Sequence, residues 1–499
     1  MSSTAATYDD LPYGSRAVRE SHPVHLAAVA LLFGVETPAP ETARVLELGC
    51  AEGGNLLPMA VAAPGATFLG IDLSALQIET GEARRAALGL TNVSLRAADT
   101  AAFDAGAGTF DYVIAHGLYS WVPEPVAEAI LALIGRLLAP RGVAFVSYNT
   151  YPGWHLRGLV RDLLVRNTDG AGSAAERIAR ARDLLGFVTA NAQDRSPAYG
   201  GTLREASMQF SRTDDGRLFH EWLERENRPV WFLDFAARAS LHGLAPLADA
   251  RLAAMPMGRV KPEIDDLLSS RVSGRLEKEE LLDVLRNRAF RQTLLVRAPA
   301  PGREEPDPAA LDRLHFTTEL EPVPGASPGT SWKGPSGSLS TDDPVLVSAL
   351  RALHEAVPRA LPLAALAPFA PEKLRPALLR CIAAGLVEAR AGDVPCSAAA
   401  GAAPVASPLA RLEAAAGPIV PSLAHRNVAL DPAARLLLRE LDGRPRGDVV
   451  ASLAASLVRE GLLTGPDGEV PPETDARTAV AGHLDDALAN LARRALLAR

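Results

Sequence analysis

Residues 44–55, RVLELGCAEGGN, place an acid and three glycines in one turn: Glu47, then Gly49, Gly53 and Gly54. A glycine turn after an apolar strand offers backbone amides to a nucleotide. Two common readings fail on spacing. Ala51 stands where a dinucleotide fingerprint has glycine, and no Gly-Lys-Ser/Thr ending marks a phosphate loop. About 19 residues after Gly53, GIDLS places Asp72 and Leu73 at the end of the next strand, where an acid accepts hydrogen bonds from ribose hydroxyls. RAADT then places Asp99 and Thr100 at the end of a third strand. There a carboxylate suits the exocyclic amine of an adenine, or caps the following helix.

Charge selects the ligand. A pyrophosphate beside Glu47 would meet a like charge, whereas S-adenosyl-L-methionine carries a sulfonium and an ammonium and no phosphate. Glu47, Gly49, Ala51, Gly53, Asn55, Asp72, Leu73, Asp99, Thr100 and His116 are therefore the expected cofactor residues. Asn55 serves equally as the N-cap of the helix after the turn. A methyl acceptor needs positioning more than covalent help. The loop AHGLYSWVP supplies His116, Tyr119 and Trp121, whose aromatic faces suit an ammonium. SYNTYPGWH supplies Tyr148, Asn149 and Trp154, and FHEWLE supplies His220 and Glu221 as a proton-accepting pair. These are the expected catalytic residues, each with packing or a surface pair as its alternative. Tyr8 and Tyr13 are candidates to close over the cofactor, and His22 and His25 read as helix-start residues. The remaining histidines and the three cysteines read as structural, and no metal-ligand spacing is present.

These groups need a scaffold that brings strand ends together. Residues 44–149 alternate short apolar runs with helical segments, which predicts βαβ units and a mostly parallel, doubly covered sheet. The expected class is α/β: a Rossmann-like seven-stranded sheet with a helical insertion, followed by mostly helical C-terminal domains. The cofactor domain spans 1–151 and the helical insertion 152–225. Residues 226–298 complete the sheet, with FRQTLLVRA as a good strand and a helix starting at Pro229. The Pro/Gly/Ser-rich segment 299–340 reads as linker with one short strand, LHFTTEL, 341–407 as winged-helix-like, and 408–499 as a C-terminal helical domain.

Bulk properties exclude several classes. The 499 residues suggest several domains. A net charge of −8 argues against a broad nucleic-acid footprint. The N-terminus has no basic or apolar signal region, and the apolar run 24–35 is too short to cross a bilayer. A cytoplasmic location without membrane insertion is expected. A homodimer is compatible, and the sequence leaves oligomeric state open.

LELGCAEGG, GIDLS, RAAD, FDYVIAHG and LLAPRGVAFVSYN resemble, in order, the motifs of class I S-adenosylmethionine-dependent methyltransferases. YDDLPY, SHPVHLAAVALLFG, GGNLLPMA, HGLYSWVP, SYNTYPGW, FHEWLERENRPVWF and LRNRAFRQTLLV resemble a narrower bacterial family. Its members carry a methyltransferase regulatory domain and often a C-terminal winged helix, and include protein-lysine methyltransferases. The resemblance is specific over about residues 8–298 and looser beyond. It implies methylation of a protein side chain such as lysine. Methylation of a small metabolite or natural product, and a non-catalytic cofactor-binding regulator, are the alternatives.

Overall fold

The computed structural model describes residues 14–498, apart from 105, 107, 171, 193–196, 258–261, 301, 325–329, 368–370 and 466. Tyr8 and Tyr13 lie outside the described residues. A seven-stranded sheet organises the N-terminal part, in spatial order β3-β2-β1-β4-β5-β7-β6. Its strands are β1 (Arg44–Leu48), β2 (Thr67–Asp72), β3 (Val93–Ala97), β4 (Phe110–Ala115), β5 (Leu138–Asn149), β6 (Leu244–Asp249) and β7 (Phe290–Arg297). β1 to β5 run parallel, and β7 is antiparallel to both β5 and β6. Four residues of β1 in a row are buried. That pattern requires helices on both faces, and near-continuous apolar runs satisfy it.

Helix α1 (Pro23–Leu32) is buried nearly all round because it packs between this sheet and a strand at Val387–Arg390. Its N-cap is His22, whose ring nitrogen accepts from the Val24 amide at 3.1 Å. Full burial of residues such as Leu26, Val29 and Leu32 contributes ~1.5–3 kcal/mol each. Helix α2 (Leu56–Ala62) follows the glycine turn, and α3 (Ala75–Ala87) is capped by Ser74. Helix α4 (Glu124–Leu137) buries Ala127, Ile130, Leu131 and Ile134, the single stripe that covers the opposite face.

Between β5 and β6 lie helices at Gly153–Thr168, Ala174–Asn191 and Pro197–Arg212, with a core of their own that includes Ile178, Leu185, Leu203 and Phe210. The helix expected from Pro229 begins instead at Phe232. Val230 forms a bridge with Thr150, so this stretch extends the end of β5 before turning into the helix.

The segment 299–340 is not a free linker. Leu311, Leu314, Phe316, Leu320 and Trp332 are buried in the same core as α1. The strand His315–Thr318 pairs with Leu361–Pro362 and Val387–Arg390. Proline and glycine here punctuate short strands; they do not loosen the chain. Residues 408–493 add four helices around a hairpin, Ile419–Pro421 with Asn427–Ala429. Among the described residues no helix is long and apolar enough to cross a membrane.

A buried ion cluster locks the antiparallel strand in place. Arg291 of β7 is 1% exposed, with its Nε 2.5 Å from Asp283 and its guanidinium 3.3 Å from Glu279. The same guanidinium lies 3.5 Å above the Phe232 ring. Removing Arg291 leaves buried Asp283 with only Arg288 at 3.4 Å and buried Glu279 with only Arg275 at 2.6 Å. Arg291→Ala should therefore cost ~3–5 kcal/mol in denaturant unfolding. A loss below about 1 kcal/mol, the range of an exposed pair, would contradict a locking role.

Candidate cofactor and methyl-transfer site

Register places the candidate residues on one edge. Glu47 pairs with Gly70 and Ile114, Gly70 with Leu95, and Ile114 with Phe145. Two residues further along each strand, Gly49, Asp72, Ala97, His116 and Ser147 leave the sheet side by side. Asp99 and Thr100 follow just beyond β3. In an open α/β sheet this carboxyl edge is where ligands bind.

The turn is built to approach closely. Gly49, Ala51 and Gly53 have φ of +72°, +50° and +74°. For Ala51 that conformation costs roughly 1–2 kcal/mol. The Ala51 amide donates to Asp72 Oδ2 at 2.8 Å, and the Ser74 amide donates to Asp72 Oδ1 at 2.9 Å. An amide that would face a phosphate in a dinucleotide fold is thus committed to a carboxylate. A Cβ on Gly54 would overlap the Ser15 carbonyl, and the Gly54 amide donates to Ser15 Oγ at 2.9 Å. The N-terminal segment therefore passes directly over the turn.

Glu47 is 3% exposed. Its Oε1 accepts from Asn55 Nδ2 at 2.7 Å, and Oε2 is buried with no hydrogen-bond partner among the described residues. Burial raises its pKa to about 8, against the lowering effect of Asn55, with the Asp72 charge adding to the rise. Asn55 does not cap α2 through its side chain. Its four hydrogen-bonding positions go elsewhere: Nδ2 to Glu47 and to Ser21 Oγ at 3.0 Å, Oδ1 from the Val18 amide and from His425 Nε2, both at 2.8 Å.

Leu73 is exposed beside Asp72, and Asp99 is exposed with Oδ1 taking the Ala101 amide at 2.9 Å. His116 Nδ1 lies 3.0 Å from Ser147 Oγ, which accepts from the Gly117 amide at 2.9 Å. Burial lowers the His116 pKa to about 4. The ring is therefore neutral, with one nitrogen a donor and the other an acceptor, and Ser147 Oγ can serve either role toward Nδ1. It is a hydrogen-bonding group at this edge, not a ready base.

Several expected catalytic residues lie elsewhere. Tyr119 and Tyr148 are each 1% exposed and belong to the core under α4. Tyr148 stacks on Phe235 at 4.1 Å and its hydroxyl meets Thr293 Oγ1 at 2.9 Å. Tyr119 stands edge-on to Phe235 at 5.3 Å. Both are packing residues. His220 and Glu221 do not form a pair: His220 is buried 3.7 Å from Glu224, and Glu221 turns outward to Arg217 at 3.2 Å. They are neighbours in the helical turn Phe219–Leu223, and adjacent residues of a helix do not face each other. Trp121 stays half-buried, edge-on to Trp154 at 6.2 Å. Asn149 donates to Asn227 Oδ1 at 2.9 Å.

Sequence reasoning missed the accessible aromatics. Tyr151 stacks on His155 at 4.3 Å and stands 5.6 Å from Trp231, all at the end of β5 and all partly or fully exposed. Tyr151 and His155 stand in the quoted SYNTYPGWH run, so their types were visible; their exposure was not. Among the described residues no group of side chains could hold a metal ion.

The donor set fits S-adenosylmethionine. A buried acceptor without a partner, a second carboxylate at the next strand end and a left-handed turn suit a cationic nucleoside and oppose a phosphate.

Comparison with known proteins agrees. A methyltransferase-domain model matches residues 45–142, a predicted methyltransferase regulatory domain matches 214–297, and a PKMT C-terminal winged helix matches 403–496. The winged-helix match thus falls on the C-terminal region, not on 341–407 where the helical rhythm placed it. An uncharacterized protein of Rickettsia prowazekii (strain Madrid E) is 37% identical over 58% of this chain and 52% of its own length, so the chain spans about half of that relative. A second, from the same organism, is 34% identical over 47% of this chain and 93% of its own. The structure of PKMT2 from Rickettsia typhi in complex with AdoHcy covers 97% of this chain and 100% of its own at 26% identity, with a TM-score of 0.86. The chain belongs to the family of S-adenosylmethionine-dependent methyltransferases that join a class I methyltransferase domain to a methyltransferase regulatory domain and a C-terminal winged helix.

Proposed function

We propose that this protein methylates a side-chain nitrogen of a protein, lysine foremost, and that Glu47, Asp72, Asp99 and His116 hold the cofactor. The observation that carries the cofactor assignment is Glu47 Oε2, a buried acceptor whose natural partner is an ammonium. When bound, S-adenosylmethionine supplies an electrophilic methyl on a sulfonium. The protein's own part is to hold and to orient. Asp72 and Asp99 would accept from hydroxyls and an amine, and the neutral His116 ring would offer one hydrogen-bonding nitrogen. Tyr151, His155 and Trp231 offer faces to an approaching ammonium, and such contacts hold a cation by ~0.5–2 kcal/mol each.

The lysine reading has two supports. The similar Rickettsia typhi protein is a PKMT. In addition, two adjoining cavities carry acids and arginines. A cavity of about 360 Å³ is lined by Glu20, Arg251 and Glu388, and a larger one of about 1170 Å³ shares Thr317, Glu319 and Arg426 with it and runs to Arg494. The larger volume exceeds the ~300–1,000 Å³ usual for small-molecule pockets. Glu20 and Arg251 line the smaller cavity, and their charges act on the His116 ring. Mixed acids and arginines along these cavities suit a polypeptide better than a metabolite.

Incubating the purified protein with methyl-labelled cofactor and a lysate of its own host should put label on protein, recovered as methyl-lysine after hydrolysis. Label confined to small molecules would overturn the lysine reading. Asp72→Ala should abolish cofactor binding by calorimetry; unchanged affinity would displace the ribose from Asp72.

Glu47→Gln separates stability from binding. Because the folded-state pKa of Glu47 is raised from 4.5 to about 8, its ionisation costs stability progressively as pH rises through that window. The variant should gain roughly 2–4 kcal/mol relative to wild type between pH 5 and pH 8, while binding cofactor at least tenfold more weakly. Parallel stability curves would contradict the burial of this charge.

A further inference from the structure

The cofactor carboxylate is held from the far end of the chain. His425 sits in the turn between Ile419–Pro421 and Asn427–Ala429, and its Nε2 meets Asn55 Oδ1 at 2.8 Å across 370 residues of sequence. Its backbone is left-handed, with φ of +59°. A non-glycine residue held there costs roughly 1–3 kcal/mol and persists where surrounding contacts impose it. Those contacts are visible. His425 stands edge-on to His22 at 4.8 Å, and the neighbouring Asn427 donates to the Ala17 carbonyl at 2.9 Å. Arg426 pairs with Glu388 at 2.8 Å, and Arg84 of α3 faces Glu413 at 3.7 Å.

The direction of the relay is determined. The Val18 amide can only donate, so the Asn55 atom it meets is the carbonyl oxygen. Asn55 Nδ2 therefore faces Ser21 and Glu47. His425 must then donate from Nε2 to the same oxygen, which a neutral ring does; burial keeps its pKa down at about 3. With both oxygen positions and both amide hydrogens engaged, Asn55 has one orientation. Withdrawing His425 leaves a buried acceptor half-satisfied and removes one of the four hydrogen bonds that hold the amide against Glu47.

We propose that His425 is a positioning residue for the amino-acid end of the cofactor, acting through Asn55 on Glu47, so that docking of the C-terminal domain completes the cofactor site. The proposal rests on the reading of this edge as an S-adenosylmethionine site. It goes beyond that reading by making the C-terminal region a component of cofactor binding.

Two ligands separate positioning from general damage. S-adenosylhomocysteine carries the amino-acid end; 5′-methylthioadenosine has the same nucleoside without it. In calorimetric titrations of the full chain, His425→Ala should bind S-adenosylhomocysteine about tenfold more weakly. Its affinity for 5′-methylthioadenosine should stay within about twofold. His425→Gln, whose amide can donate in the same direction, should recover most of the lost affinity. Asn55→Ala should reproduce the His425→Ala pattern. Unchanged S-adenosylhomocysteine binding by His425→Ala would overturn the relay. So would equal loss of both ligands without recovery in His425→Gln, which marks a purely structural contact. Failure of the unmodified protein to bind S-adenosylhomocysteine would overturn the cofactor reading itself, and the relay with it.

Discussion

Burying a carboxylate is unfavourable unless something meets its charge, and the Glu47–Asn55 hydrogen bond is where this protein meets half of it. Oε1 is satisfied and Oε2 is not. The rest of the site follows from that asymmetry. The turn above Glu47 adopts left-handed backbone at Gly49, Ala51 and Gly53, and commits its Ala51 amide to Asp72. With the amide spoken for and a second acid alongside, the edge repels phosphate and favours a cation. The family to which the chain belongs uses such a cation as its methyl donor.

The same bond explains the shape of the larger assembly. Asn55 is held by the N-terminal segment through Val18 and Ser21, and by the C-terminal hairpin through His425. Three distant parts of the chain therefore converge on one side chain. α1 and the strands at His315–Thr318 and Val387–Arg390 share a single core with one face of the sheet. That packing brings the C-terminal region against the cofactor edge, and two adjoining cavities with acids and arginines open along the boundary.

The parallel sheet and the strand ends where the candidate residues stand were legible in the sequence because their signals are local. Glu47, Gly49, Asp72 and Asp99 each lie within a few residues of an apolar strand, and strand order alone aligns them. The catalytic expectations for Tyr119 and Tyr148 failed for a non-local reason. Phe235, on a helix that arrives nearly ninety residues after Tyr148, covers both rings. His220 and Glu221 failed as a pair because adjacent residues of a helix do not face each other, which places one in the core and the other outward. The segment 299–340 read as linker because proline and glycine dominate it; its strand LHFTTEL was legible, and the core that buries Leu311, Leu314, Phe316, Leu320 and Trp332 was not. His425 carried no signal at all, since its partner is at the other end of the chain.

Proton linkage tests the central claim most directly. Titrating S-adenosylhomocysteine into the protein at pH 6.5, in buffers of different ionisation enthalpy, counts the protons exchanged on binding. Glu47 is protonated in the free protein at that pH, given its pKa of about 8. An arriving ammonium should ionise it, so binding should release close to one proton, and Glu47→Gln should release none. Binding without proton release, or the same release from Glu47→Gln, would contradict a buried acid held in readiness for a cationic cofactor.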